Sequence, residues 1–96
     1  MPVLNFSYAR IKDAGKFQEY IAKAAVLLKE AGAEVLVRAN FAETLRGNEQ
    51  QPHIAAVFRF ADMQAAKGFY ESEAYKEILA LRDEACDMSV HLYEEK

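Results

Sequence analysis

FADMQAAKGFYESEAYKEILALR, residues Phe60 to Arg82, is the most punctuated stretch of the chain. Asp62 precedes a run from Met63 to Tyr70 with helical character, and Ser72 precedes a second run from Glu73 to about Cys86. Asp and Ser side chains accept hydrogen bonds from the free N–H groups of a first helical turn, so each reads as an N-cap. Two caps in one stretch imply two helical pieces with a break near Glu71–Ser72. In the longer piece Ala74, Ile78, Leu81 and Ala85 form one stripe, with Tyr75, Leu79, Arg82 and Cys86 beside it. The break lets both pieces lie flat on a sheet, which one straight helix would not do.

Working outward, His53 to Phe60 alternates as a strand does: Ile54, Ala56, Phe58 and Phe60 share one face, His53, Ala55, Val57 and Arg59 the other. Downstream, Met88, Val90 and Leu92 alternate with Ser89, His91 and Tyr93, giving a last strand from Met88 to Tyr93. At the other end, Val3 to Arg10 is a strand, with Leu4, Phe6 and Tyr8 on its apolar side. Asp13 caps an amphipathic helix carrying Phe17, Tyr20, Ile21, Ala24, Leu28 and Ala31 at helical spacing, and Gly32 is suited to its C′ position. Ala33 to Ala39 is a further strand, resuming after Asn40 as FAETLR with a bulge at Ala39–Asn40. Gly47 to Pro52 is a polar turn. The element order is βαββαβ in a single domain, residues 1–96. Right-handed crossovers turn that order into an α+β, ferredoxin-like sandwich. A four-stranded antiparallel sheet carries two helices on one face, with the first and third strands central.

Composition narrows the function classes. The chain is 52% hydrophobic and 28% charged, with net charge −3. An acidic balance argues against nucleic acid, which needs a basic footprint. No apolar run reaches the about 18 residues of a membrane span. The N-terminus MPVLNFSY lacks a charged segment followed by an apolar one, and one cysteine, Cys86, cannot close an internal disulfide. These point to the cytoplasm. So short a chain gains from a partner that covers apolar surface.

The faces of the sheet locate the candidates. The apolar set Leu4, Phe6, Ile54, Phe58, Val90 and Leu92 is expected under the helices. The open face would then carry Asn5, Ser7, Ala9, Ala55, Val57, Arg59, Ser89, His91 and Tyr93, joined by Leu36 and Arg38 if Val35 and Val37 point inward. A face this mixed suits a homodimer interface with a small cavity. Asn5 and Ser7 are unusual in a central strand, which marks them as candidates. His91 is the candidate proton acceptor, against the commoner role of a hydrogen-bonded strand histidine. Arg38 and Arg59 could each clamp a carboxylate or pair with a glutamate, and Arg82 could pair with Glu71 or a second subunit. Tyr70 and Tyr75 could bond a ligand or simply a backbone partner. Cys86 reads as inert. Zinc spacing, a glycine-rich phosphate loop, GxSxG and HExxH are all missing, so no metal or cofactor is expected.

The chain resembles a bacterial family, the domain of unknown function 1330 family of the dimeric α+β barrel superfamily. The resemblance rests on Phe60, Met63, Ala65–Ala66, Phe69–Tyr70, Ser72, Tyr75 and Arg82, on Leu36–Val37–Arg38 in the second strand, and on Tyr20. Phe69 replaces a frequent tryptophan, Glu73–Ala74 replaces Pro-Glu, and Ala39 replaces a glycine. The family has no established activity. The resemblance implies a homodimer whose sheets face each other. It makes Arg38, Tyr70, Ser72, Tyr75 and Arg82 ligand-binding candidates beside Asn5 and Ser7. Related families include cofactor-free quinol monooxygenases, haem-degrading monooxygenases and muconolactone isomerases. Haem-degrading relatives also carry an asparagine where Asn5 lies, but their tryptophan and histidine partners have no match here, so haem chemistry is not implied. Three readings follow. The first is a small-molecule site between helices and sheet, the second a cofactor-free monooxygenase or isomerase using His91, and the third a structural or stress-related module.

Overall fold

The computed structural model describes all residues, Met1 to Lys96. Four strands, β1 (Val3–Ile11), β2 (Glu34–Asn40), β3 (Ile54–Phe60) and β4 (Cys86–Glu94), form one antiparallel sheet in the order β2-β3-β1-β4. Helix α1 (Ala14–Glu30) and the segments α2 (Met63–Glu71), α3 (Glu73–Lys76) and α4 (Leu79–Ala85) carry the other layer. Strands one and three are central, as expected by analogy with the ferredoxin-like fold.

The helix ends follow their caps. Asp13 accepts from the Lys16 N–H at 3.0 Å, Asp62 from Ala65 at 2.8 Å and Ser72 from Tyr75 at 3.1 Å. Gly32 takes φ +74°, the left-handed C′ conformation that ends α1. The helical run expected from Glu73 to about Cys86 is broken once more, at Glu77–Ile78, and Cys86 already belongs to β4. Buried Ile78, at φ −105° and ψ 4°, carries the turn between α3 and α4.

Sheet parity shows which expectations hold. On β3 and β4 the inward residues are those read from alternation. Ile54 and Phe58 pair across β1 with Ala9 and Asn5, and Val90 and Leu92 pair with Ser7 and Asn5. On β1 the expectation was inverted. Val3, Asn5, Ser7 and Ala9 are buried beneath the helices at 7% exposure or less, and Leu4, Phe6 and Tyr8 face outward. Counting apolar residues on β1 selects the wrong face because both faces need apolar groups. The outward Leu4–Phe6–Tyr8 row continues through Val57 and Tyr93, with Phe6 and Tyr93 edge to face at 5.1 Å.

On β2 the register breaks between Val35 and Val37, leaving Leu36 as the extra residue. The bulge therefore sits here and not at Ala39–Asn40. Before it, Val35 pairs with inward Phe58; after it, Val37 pairs with outward Val57 and Arg38 with inward Ala56. No strand resumes at FAETLR: Phe41 donates one more bond to His53 O at 2.8 Å, and residues 42–51 form a loop.

The core joins α1 residues Phe17, Tyr20, Ala24 and Leu28 to Phe60, Ala66, Phe69, Tyr75, Ile78 and Ala85. Each fully buried large apolar side chain, such as Phe60 at 1% exposure, contributes roughly 1.5–3 kcal/mol relative to its exposed state.

Candidate functional site

Two buried polar clusters lie between the helices and the sheet. In the first, Asn5 and Ser7 share one face of β1 because strand side chains repeat every second residue. Asn5 Nδ2 donates to Ser7 Oγ at 2.7 Å, and the Tyr70 hydroxyl on α2 donates to Asn5 Oδ1. In the second, the hydroxyls of Tyr20 and Tyr75 lie 2.8 Å apart and Arg82 Nη1 donates to Tyr75 at 3.3 Å. The Tyr70 and Tyr75 rings meet edge to face at 5.0 Å and link the clusters. No buried side-chain polar atom is left without a partner.

A cavity of about 100 Å³ opens beside these clusters. Phe17, Tyr20, Ile21, Ala24, Ala25 and Leu28 of α1 form its roof; Phe69 and Tyr70 of α2 form one wall. Ser7, Ala9, Ile54, Ala56, Phe58 and Met88 of the sheet make the floor, and Arg38 enters from β2. Thirteen of the 15 lining residues are hydrophobic, so polar character is confined to the Ser7, Tyr20 and Tyr70 hydroxyls and the Arg38 guanidinium. The space exists because Ala24, Ala25, Ala9 and Ala56 are small where neighbours on the same surfaces are large.

The hydroxyls are proton-bearing donors. Burial, reinforced by Tyr75, pushes the Tyr20 phenol far above its ordinary value, and burial followed by Tyr75 does the same to Tyr70. No carboxylate or histidine lines the cavity.

Each candidate from the sequence has a definite place. Ser7, Arg38 and Tyr70 line the cavity. Asn5 stands one hydrogen bond behind Ser7 and Tyr70, and Tyr75 one bond behind Tyr20. Arg82 supports Tyr75 and pairs with Asp83 at 3.1 Å, not with Glu71. Ser72 is occupied at the helix break, accepting from Tyr75 N–H and donating to Phe69 O at 2.8 Å. Asn5 and Ser7 were expected on the open face; they lie under the helices, where each other and Tyr70 satisfy them.

His91 is exposed on the outward face, opposite Phe6, and does not reach the cavity. It borders an open groove of about 480 Å³ with Tyr8, Arg10, Glu49, His53 and Asp87. His53 in that groove stacks on Phe41 at 4.6 Å and bonds Gln51 O through Nδ1 at 2.8 Å. Arg59 is consumed by Glu95, at 2.7 and 2.9 Å, and by Glu34 at 3.3 Å. Burial raises the Cys86 thiol above its ordinary value. No group of three or more His, Cys, Asp or Glu side chains is placed to hold a metal ion.

Tyr20 in the roof of the cavity and the four alanines were not among the candidates expected from the sequence. The usable signal was small side chains at inward positions on both α1 and β3.

A family model described as a domain of unknown function (DUF1330) matches residues 3–95. No protein of curated function matches the sequence. Among solved structures, a protein of unknown function from Rhodopseudomonas palustris superposes with TM-score 0.84 at 16% identity, covering 99% of this chain and 82% of that one. SnoaB, a cofactor-independent oxygenase from Streptomyces nogalater, gives TM-score 0.72 at 10% identity over 99% and 93% of the two chains. The de novo designed protein Foldit4 gives 0.67 at 15% identity, covering 100% of each. The fold is therefore the ferredoxin-like one of dimeric α+β barrel proteins. A designed chain and an oxygenase both adopt this architecture, so the architecture carries no activity by itself.

Proposed function

The chain belongs to the DUF1330 family, and we propose on that premise that it binds a small organic molecule in the cavity under α1. The observation carrying this reading is an apolar cavity whose only polar wall groups are the Ser7, Tyr20 and Tyr70 hydroxyls and the Arg38 guanidinium, with no carboxylate or histidine among them. An apolar cavity of ~150 Å³ holds benzene, so the ~100 Å³ here suits a short branched chain, or a ring that stays partly at the rim. A cofactor-free oxygenase or isomerase needs a group that removes a substrate proton within hydrogen-bond reach. His91 lies across the sheet from this cavity, and both cavity phenols hold their protons. Binding is thus the better-supported reading. A purely structural role for the family residues fits Ser72 and Arg82 but leaves the cavity without a purpose.

We also propose that two copies associate through the outward sheet face. The chain exposes 6470 Å², whereas a folded monomer of 10.8 kDa exposes about 5,500 Å². The excess of about 1,000 Å² is close to the ~800 Å² that each partner buries in a standard interface. Leu4, Phe6, Tyr8, Val37, Val57 and Tyr93 supply apolar surface on that face.

Binding is tested by titrating ¹⁵N-labelled protein with benzyl alcohol. Saturable shifts centred on the amides of Ser7, Ala24 and Ala56 are expected. Shifts that stay linear and scattered over the surface would sink the reading.

A further inference from the structure

We infer that the ligand is a small monocarboxylic acid, its apolar body in the cavity and its carboxylate on Arg38. This rests on the cavity being a binding site and adds the class of ligand.

The bulge in β2 sets the direction of Arg38. Regular alternation from Val35 would put Val37 inward and Arg38 outward. The extra residue at Leu36 reverses this, so Arg38 pairs with inward Ala56. Bulges re-aim side chains in this way. Across the sheet Arg38, Ala56 and Ser7 then form one row of register partners. Two strand spacings put the ends of that row about 10 Å apart at Cα. Ala56, in the middle, is too small to fill the space between. The row therefore reads guanidinium, gap, hydroxyl. A molecule with one charged end and an apolar body matches it.

Of the two arginines without an ion pair, Arg46 lies in the loop of residues 42–51 away from the cavity, and Arg38 lines it. Arg10 pairs with Glu49 at 2.9 Å, Arg59 with Glu34 and Glu95, and Arg82 with Asp83. Arg38 lines the cavity, remains exposed and has no ion-pair partner. An edge-strand arginine satisfied by water needs no bulge to turn it toward an apolar hollow. The planar fork of a guanidinium matches a carboxylate in two parallel hydrogen bonds. A single cation and an acidic chain of net charge −3 suit a monoanion better than a phosphate dianion. The size also fits: a cavity of about 100 Å³ takes a ring or short chain only if the charged end stays at the rim, where Arg38 stands.

The probes are benzoate, its neutral counterpart benzamide, and benzyl alcohol, each titrated by NMR against the unsubstituted protein, Arg38→Gln and Arg38→Lys. Because Arg38 is exposed and unpaired, neither substitution removes a contact that the fold needs. Benzoate is expected to bind at least tenfold more tightly than benzamide at low salt, and 0.5 M NaCl to narrow the gap, since partly exposed charges are screened. Arg38→Gln is expected to erase the preference, benzoate then binding no more tightly than benzamide to the same variant; Arg38→Lys, which keeps the charge without the fork, retains part of it. Equal binding of benzoate and benzamide, or a preference that survives in Arg38→Gln, overturns the acid assignment. If the neutral probes bind while benzoate shows no advantage, the acid class alone falls. If none of the three shifts the lining amides, the cavity reading itself fails.

Discussion

Asn5 shows how a single residue was both legible and misplaced. Its rarity in a central strand marked it as special, and it proves to be completely buried. Its face could not be read from β1 alone, because the Leu4–Phe6–Tyr8 row looks like a core row and is an outward one. In its inward position Asn5 accepts a hydrogen bond from Tyr70, 65 positions away on α2. No pattern within nine strand residues contains that information. Asn5→Ala leaves the Tyr70 hydroxyl and Ser7 without their buried partner, a loss of about 1–3 kcal/mol. Urea unfolding should show the midpoint falling with the slope unchanged; an unaltered midpoint would mean that water replaces the amide without penalty.

At the level of elements, the four strands, the first helix and the first helix break were visible from caps and alternation, and the central place of strands one and three came by analogy with the fold that this order suggests. The bulge was not. Its signature is a register shift against β3, and β2 is exposed along its whole length, so neither face of it alternates clearly. The second helix break was also hidden, because Glu77–Ile78 contains neither glycine nor proline and the turn is carried by burial of Ile78. The outward sheet face has its own test. In light scattering at micromolar concentration the unsubstituted chain should run at twice its 10.8 kDa mass. Phe6→Lys with Val57→Lys, two charges placed on adjacent outward positions, should run as a monomer with helical content intact. A monomeric unsubstituted chain would contradict the proposed interface.

For the whole molecule, fold and function part company. Family and architecture follow from the stretch between Phe60 and Arg82, whose Asp62 and Ser72 caps set the two layers against each other. The cavity follows from four alanines on three elements, β1, α1 and β3, which only the assembled fold brings together. Polar residues were easier to single out than the absence of bulk, and the cavity is chiefly an absence of bulk. Its filling is therefore the most direct test of a binding function. Ala56→Leu adds carbon atoms to the cavity floor between Arg38 and Ser7. A binding role for the cavity requires that this variant melt at or above the temperature of the unsubstituted protein and lose saturable binding of benzyl alcohol. Undiminished binding in a folded Ala56→Leu variant would contradict it.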